Sequence, residues 1–205
     1  MKSVNKLIQG ASLALLFVTG SANAALIDFS SSSWASADGA SSYSVGGVTV
    51  TAGPTNVPFF DDAVLSHSSS DGLGIDFFDG PGLADEIDKS ELLSIDFGLS
   101  TQVEAIEFSN FFSDEQGFFG NFNEKGEYRL DAGQFQSFTA NSSNGEFTLA
   151  LGDAGQVLEL RAERRLFKGD DFSLKSITTV PEPGTLALLG LGLVGLGLKG
   201  RRQVS

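Results

Sequence analysis

The chain has 205 residues, with 26 acidic against 13 basic side chains and a formal net charge of -13. The length suits one domain with short tails, and the acidic balance argues against a nucleic-acid partner, because phosphate backbones repel such a chain. Cysteine is absent and His67 is the sole histidine, which excludes disulfides, Cys–His nucleophiles and zinc sites built from cysteine and histidine.

The N-terminus has the parts of a secretory signal peptide, residues 1–24. Two lysines precede an apolar run at 11–18, and Ala22-Asn23-Ala24 forms a small-residue cleavage site. The sequence predicts cleavage after Ala24 and a mature chain that begins at Ala25. An uncleaved anchor is the alternative, but the run is shorter than the roughly 20 apolar residues that a membrane span needs.

From residue 25 to residue 179 the sequence has no helical stripe. Turn-forming residues separate short β-like runs, and Leu93–Phe97 alternates strictly between apolar and polar side chains. The pattern predicts an all-β domain, an antiparallel β-sandwich of jelly-roll type. The predicted strands are 26–29, 43–51, 73–77, 92–99, 102–108, 127–130, 134–139, 146–151, 157–161 and 172–178.

The C-terminus joins a proline motif to an apolar stretch and a basic end. The motif consists of Pro181, Glu182 and Pro183. Its prolines predict an extended junction, and residues 186–198, which are only Leu, Gly, Ala and Val, predict a single short membrane helix. By the positive-inside rule, the basic residues would remain on the cytoplasmic side and leave the domain outside the inner membrane. These residues are Lys199, Arg201 and Arg202.

Motif, helix and basic tail in this order, over 180–205, resemble the PEP-CTERM sorting signal, a segment sometimes labelled ice-binding. No regular Thr-x-Thr array supports that second label. The resemblance implies processing near the Pro-Glu-Pro motif by an exosortase, a membrane cysteine protease-transpeptidase. The protein would pass through an inner-membrane-anchored intermediate and then reach the cell surface or the extracellular space. An ordinary C-terminal membrane anchor is the alternative.

The middle of the chain has a second resemblance, over roughly 72–178. Gly72-Leu73-Gly74-Ile75, the acidic loop 85–88 and the strand 91–97 resemble a recurring passenger of PEP-CTERM proteins. The segment Asp170-Asp171-Phe172-Ser173-Leu174 is similar to the last strand of carbohydrate-binding-module-like sandwiches. Such passengers mostly have no assigned activity, so this resemblance implies a fold more than a function.

Calcium is the one cofactor that the sequence suggests. It takes six to eight hard oxygen ligands, which clustered carboxylates and loop carbonyls supply. One candidate set is Asp85, Glu86 and Asp88. The other is Asp28, Asp170 and Asp171, because in similar sandwiches a structural calcium often joins the chain's ends. The alternative for both sets is a solvated acidic turn.

Paired aromatic residues raise the question of sugar contact. Exposed rings can stack on sugars, whereas buried rings would form a hydrophobic cluster. The candidates are Trp34, Tyr43, Phe111, Phe112, Phe118 and Phe119.

Three functions are compatible with these features. The leading hypothesis is a non-enzymatic, exosortase-sorted protein with a structural or adhesive role in the exopolysaccharide layer. The alternative is a calcium-assisted carbohydrate-binding module. The third is an extracellular glycan hydrolase, which needs two carboxylates across a cleft, and no catalytic motif marks such a pair.

Overall fold

The computed structural model describes residues 24–54, 63–76, 86–88, 91–117, 120–163, 165 and 169–181. All of them belong to one compact unit, 22–182. The predicted signal peptide, C-terminal helix and loop residue Asp85 lie outside the described residues. Within these ranges, no helix is long and apolar enough to cross a membrane.

The described chain is almost entirely β-structure, and all its strand pairs are antiparallel, as the sequence predicted. A 3-10 helix, Ser32–Ala37, follows the first strand. The strands are β1 (Ala25–Asp28), β2 (Ser42–Val45), β3 (Val48–Pro54), β4 (Val64–Ser68), β5 (Gly72–Asp76), β6 (Glu91–Ser109), β7 (Glu115–Gly117), β8 (Gly120–Phe122), β9 (Lys125–Leu130), β10 (Gln136–Thr139), β11 (Phe147–Ala162) and β12 (Ser173–Pro181).

Two long strands, β6 and β11, run side by side and connect two halves of one ten-stranded sheet. The first half of β6 pairs with β3, and the second half pairs with β12. Gly98 lies between these halves with φ 74°, a conformation that favours glycine, and the register of β11 shifts between Gly155 and Val157. The two halves can therefore point in different directions while the ladder continues.

The two halves of the sheet enclose a common core. Val50 and Ile95 from one half and Ile106 and Ile177 from the other belong to the same buried cluster. Along 91–97, β6 alternates buried and half-buried residues, so one face of the strand meets this core and the other does not.

Phenylalanine rings fill one part of the core. The ring of Phe108 lies 4.8 Å from Phe138 and 5.1 Å from Phe172, measured between centroids, and Phe111 and Phe147 complete the group. Phe108 and Phe147 lie on paired strands of one half of the sheet, Phe138 lies on β10 of the other half, and the remaining two rings lie in loops next to β6 and β12, so the group ties the halves together. The abundance of phenylalanine thus serves burial at these positions.

The antiparallel register defines two ends of the domain. At one end, Ser173 at the start of β12 pairs with Ser109, and Glu91 lies nearby because the segment 86–88 hydrogen-bonds both to Glu91 and to Phe172; this is called the acidic end. At the end where β12 finishes, Pro181 pairs with Thr101; this is called the exit end.

Candidate functional site

Three backbone segments meet at the acidic end and place carboxyl groups together. The segment 86–88 is attached to the start of β12, because the N–H of Ile87 donates to the carbonyl of Phe172 at 2.6 Å. Glu124 precedes β9. Its N–H donates to the carbonyl of Phe112, and its carbonyl accepts a hydrogen bond from the N–H of Ala140. These contacts bring Glu86 and Glu124 to Asp171, which lies just before β12.

Asp171 is the centre of a carboxyl cluster, with Glu86 and Glu124 both in hydrogen-bonding contact with it. Burial raises the pKa of Glu86 to about 8, and the charge of Asp171 adds to the shift. Burial, together with the hydrogen bond to Asp171, raises the pKa of Glu124 to about 10. Burial raises the pKa of Asp171 as well, so near neutral pH and without a cation the cluster retains protons that Glu86 and Glu124 share with Asp171.

Glu124 is the most enclosed member of the cluster. Its side chain is fully buried, and the N–H of Phe112 donates to Oε2. The other oxygen, Oε1, is buried and receives no N–H or O–H donor from the protein. Glu115 lies close enough for its charge to act on Glu86 and Glu124, and burial raises the pKa of Glu115 as well. An unsatisfied carboxylate oxygen in such surroundings is costly unless a proton or a cation reaches it.

Asp170 has a different role from its neighbour. It is 1% exposed, and the guanidinium of Arg165 holds its carboxylate with two nitrogens. The N–H of Lys125 donates to the same carboxylate at 2.9 Å. Asp170 is thus a structural ion-pair partner that fixes the start of β9 to the loop before β12.

A further buried acid at this end was not predicted from the sequence. Glu91 is 3% exposed, and its Oε2 accepts a hydrogen bond from the N–H of Asp88 at 2.7 Å. Burial raises the pKa of Glu91 to about 8 despite the opposing effect of that hydrogen bond. At the start of β6, the Glu91 side chain thus fixes the position of the segment 86–88.

The acidic residues that the sequence suggested as calcium ligands are arranged differently from the two predicted sets. Glu86 and Asp171, which were assigned to separate sets, lie together with Glu124. Asp28 lies on β1 opposite Ser176, roughly 16 Å further along the strand than Asp171, and accepts hydrogen bonds from Ser30. Among the described residues, no three histidine or acidic side chains form a ready-made metal site.

At the exit end, the mature N-terminus predicted from the sequence meets the proline motif. Ala25 pairs with Thr179, whose hydroxyl donates to the carbonyl of Ala25 at 3.3 Å. On the other side of β12, Val180 and Pro181 pair with β6. No unpaired linker separates the domain from Pro181. Outside the described residues lie Ala22, Glu182, Pro183, Lys199, Arg201 and Arg202.

The structure answers part of the question about aromatic sugar contacts. Trp34 is 2% exposed and packs on Phe29, and Phe111 is fully buried, so neither presents an open ring face. Tyr43 and Phe112 are half-buried. Phe118 and Phe119 lie outside the described residues.

Comparison with protein-family models shows that the chain carries a PEP-CTERM protein-sorting motif at residues 179–202. The predicted sorting signal is thereby confirmed, and its first three residues are the last three of β12. Comparison with curated proteins finds no match.

Among solved structures, two modules of Clostridium perfringens are distantly similar. The family 32 carbohydrate-binding module of NanJ, in complex with galactose, is 13% identical with a TM-score of 0.32, covering 66% of this chain and 94% of its own. The module CpGH89CBM32-6 is 10% identical with a TM-score of 0.33, covering 67% and 95%. A Klebsiella oxytoca rhamnosidase with rhamnose bound is 12% identical, with a TM-score of 0.34, covering 65% and 29%. Likenesses this distant define no ligand for this chain.

Proposed function

We propose that the protein is a non-catalytic component of the cell surface or extracellular matrix with a structural or adhesive role in the exopolysaccharide layer. Its jelly-roll-like β-sandwich is exported behind a cleaved signal peptide. A C-terminal membrane helix then holds it at the inner membrane until an exosortase-type enzyme processes it near the Pro-Glu-Pro motif.

The observation that carries this proposal is the direct junction between a folded domain and a sorting motif. The motif begins at residue 179, within β12, and the first strand begins at Ala25, where the predicted mature chain starts. Along the sequence, the β-domain therefore spans the chain between the predicted signal peptide and the sorting motif. A protein built in this way delivers one folded domain to the outside of the cell.

The test is a change in the motif that leaves the domain intact. Glu182→Ala combined with Pro183→Ala lies beyond β12, and Glu104→Ala, at an exposed position of β6, is the control. We expect the motif variant to accumulate in the membrane fraction of its host, with loss of polysaccharide retained by washed cells, while the control behaves as wild type. Normal release and normal polysaccharide retention in the motif variant would contradict the proposal.

We also propose calcium binding at the acidic end, which would stabilise the domain for work outside the cell. Support comes from Glu124, a fully buried carboxyl group with an oxygen that lacks a donor, next to Asp171 and Glu86. Calcium would replace the shared protons and would complete its six to eight ligands with backbone carbonyls and water.

Thermal unfolding with and without calcium tests this second proposal. At about 100 times the Kd, calcium should stabilise the protein by ~2.7 kcal/mol, which raises the Tm by roughly 5–10 °C in a domain of this size. Asp171→Asn should abolish the response, whereas Asp153→Asn, an exposed residue of β11, should keep it. An unchanged Tm in the wild-type protein would exclude the site.

A further inference from the structure

Two large apolar side chains stand exposed in the described part of the chain, and both belong to the exit end. Leu26 is 65% exposed and Leu99 is 77% exposed. Leu26 pairs with Thr178 of β12, and Leu99 comes two residues before Thr101, the partner of Pro181. Single exposed leucines are ordinary on protein surfaces. These two leucines, however, both lie close to the last residues of β12, where the sorting motif begins.

Exposed glycines lie close to both leucines. The turn Gly46-Gly47 joins β2 to β3 there, and no atom lies within 4 Å of the place where a Cβ of either glycine would be. This turn contacts the bend of β6, since a Cβ on Gly98 would lie 3.3 Å from the carbonyl oxygen of Gly47. Leu26 and Gly46 line a common shallow cavity of about 300 Å³. The exit surface is defined here as Leu26, Gly46, Gly47, Gly98 and Leu99.

Two carboxylates border this surface, and one of them, Asp28, lines the same cavity as Leu26 and Gly46. Asp96 accepts a hydrogen bond from the N–H of Gly98, and Asp28 accepts one from the N–H of Ser30. Both carboxylates accept hydrogen bonds from nearby backbone, and Asp96 also accepts one from Nε2 of Gln156. The exit surface itself consists of leucine side chains and glycine backbone with carboxylates at its edge, an amphipathic composition that suits the interfacial region of a bilayer.

The chain that follows the domain indicates what contacts the exit surface. β12 remains paired up to Pro181, and the sorting motif extends to residue 202, so no spacer lies between the sheet and the motif. We propose that, while the chain is anchored through its C-terminal segment, the exit surface lies in the interfacial region of the lipid bilayer, with Leu26 and Leu99 in contact with lipid. This inference rests on the membrane-anchored intermediate of the proposed function.

The absence of cysteine makes a direct test possible. Single cysteines introduced as Leu99→Cys or Leu26→Cys take a nitroxide label without background. Ser143→Cys, an exposed position at the acidic end, is the matched control, and Leu193→Cys reports on the C-terminal apolar segment. The chain 25–205 is reconstituted in vesicles of phosphatidylethanolamine and phosphatidylglycerol, and collision rates of each label with oxygen and with a water-soluble nickel chelate are measured.

We expect the labels at 99 and 26 to favour oxygen over nickel several-fold relative to the label at 143. Lipid exposure at 193 with water exposure at 99 and 26 overturns the inference and leaves the anchored intermediate standing. Water exposure at 193 overturns both. Dipolar broadening between labels at 99 on different chains would mean that a second copy covers the surface, and would also overturn the inference.

Discussion

The two ends of this domain are made from the same strands and differ in what they bury. At the acidic end, Glu91, Glu124 and Asp170 are at most 3% exposed, and their charges require protons, cations or arginine. At the exit end, leucine and glycine are exposed and the backbone is paired up to Pro181. Because the two ends are far apart, substitutions at one end should change the free energy of unfolding independently of substitutions at the other. Under the proposed function, stability would depend on the chemistry of the acidic end, and attachment would depend on the exit end.

The largest effect is expected where the phenylalanine group joins the two halves of the sheet. Phe108→Ala removes a fully buried ring and should lower the free energy of unfolding by about 3–5 kcal/mol. Phe135→Ala is the matched control, because Phe135 is half-buried beneath Arg129 and Arg161 and should contribute only about 1 kcal/mol. Urea denaturation measures both variants, and equal losses would show that the core does not depend on this group.

The ion pair between Arg165 and Asp170 at the acidic end should contribute more to the free energy of unfolding than ion pairs on the surface do. Arg165→Met leaves the fully buried Asp170 side chain without its guanidinium, which should cost about 3 kcal/mol. Arg129→Met breaks the pair with Glu159 on the outer face of the sheet, where such pairs contribute about 0–1 kcal/mol. A comparison of urea midpoints ranks the two variants, and a smaller loss for Arg165→Met would contradict the structural role of Asp170.

The calcium-free protein should lose stability as the pH rises. The pKa of Glu91 and of Glu86 is raised from 4.5 to about 8, so the folded state binds more protons than the unfolded state across that interval. Stability gained from these protons is complete below pH 4.5 and is lost as the pH rises through about 8. The Tm in a chelator should therefore fall over this window.

Glu124→Gln sharpens the pH experiment, because its amide keeps an acceptor for Phe112 without a carboxyl group to ionise. The slope of Tm against pH should become shallower between about pH 4.5 and pH 10, because Glu124 keeps its proton in the folded state up to about pH 10 and loses it above 4.5 when unfolded. Asp153→Asn at an exposed position should leave the slope unchanged. A Tm that rises between pH 5 and about 8 in the absence of cations would contradict the buried protonated cluster.

The smallest effect is expected at the exit end. Thr179→Ala removes the hydroxyl that donates to the carbonyl of Ala25 and should cost about 0.5–1 kcal/mol. The substitution should speed hydrogen exchange in β1, whereas Thr178→Ala next to it should not. Unchanged exchange in β1 would mean that strand pairing alone holds the N-terminus.

Sequence patterns predicted the strands well where apolar and polar residues alternate. The run Leu93–Phe97 is strand, as predicted, and the last strand, β12, continues to Pro181, two residues past the predicted domain end at 179. Two continuous strands were divided by prediction, however. The predicted strands 92–99 and 102–108 both belong to β6, and 146–151 and 157–161 both fall largely within β11; Gly98 and Gly152, which have positive φ, are bends inside these continuous strands. Local sequence cannot distinguish a turn from a bend when pairing to a neighbouring strand continues through it.

The sorting motif could be found from the sequence because its residue types occur together at one end of the chain. The carboxyl cluster could not, because its members, Glu86, Glu124 and Asp171, come from three distant segments. Glu124 lies alone in a stretch of Asn, Lys and Gly, and nothing in its neighbours indicates burial. Prediction also placed Asp28 with Asp171, although the antiparallel pairing of β1 with β12 sets Asp28 beside Ser176.

The intact mass of the native protein, from membrane and secreted fractions of its host, tests processing at the sorting motif directly. We expect a chain that begins at Ala25 and ends near Pro181–Pro183, with or without an added group. A mature protein that still carries residues 186–205 would contradict processing at the sorting motif and would make the C-terminus a permanent anchor.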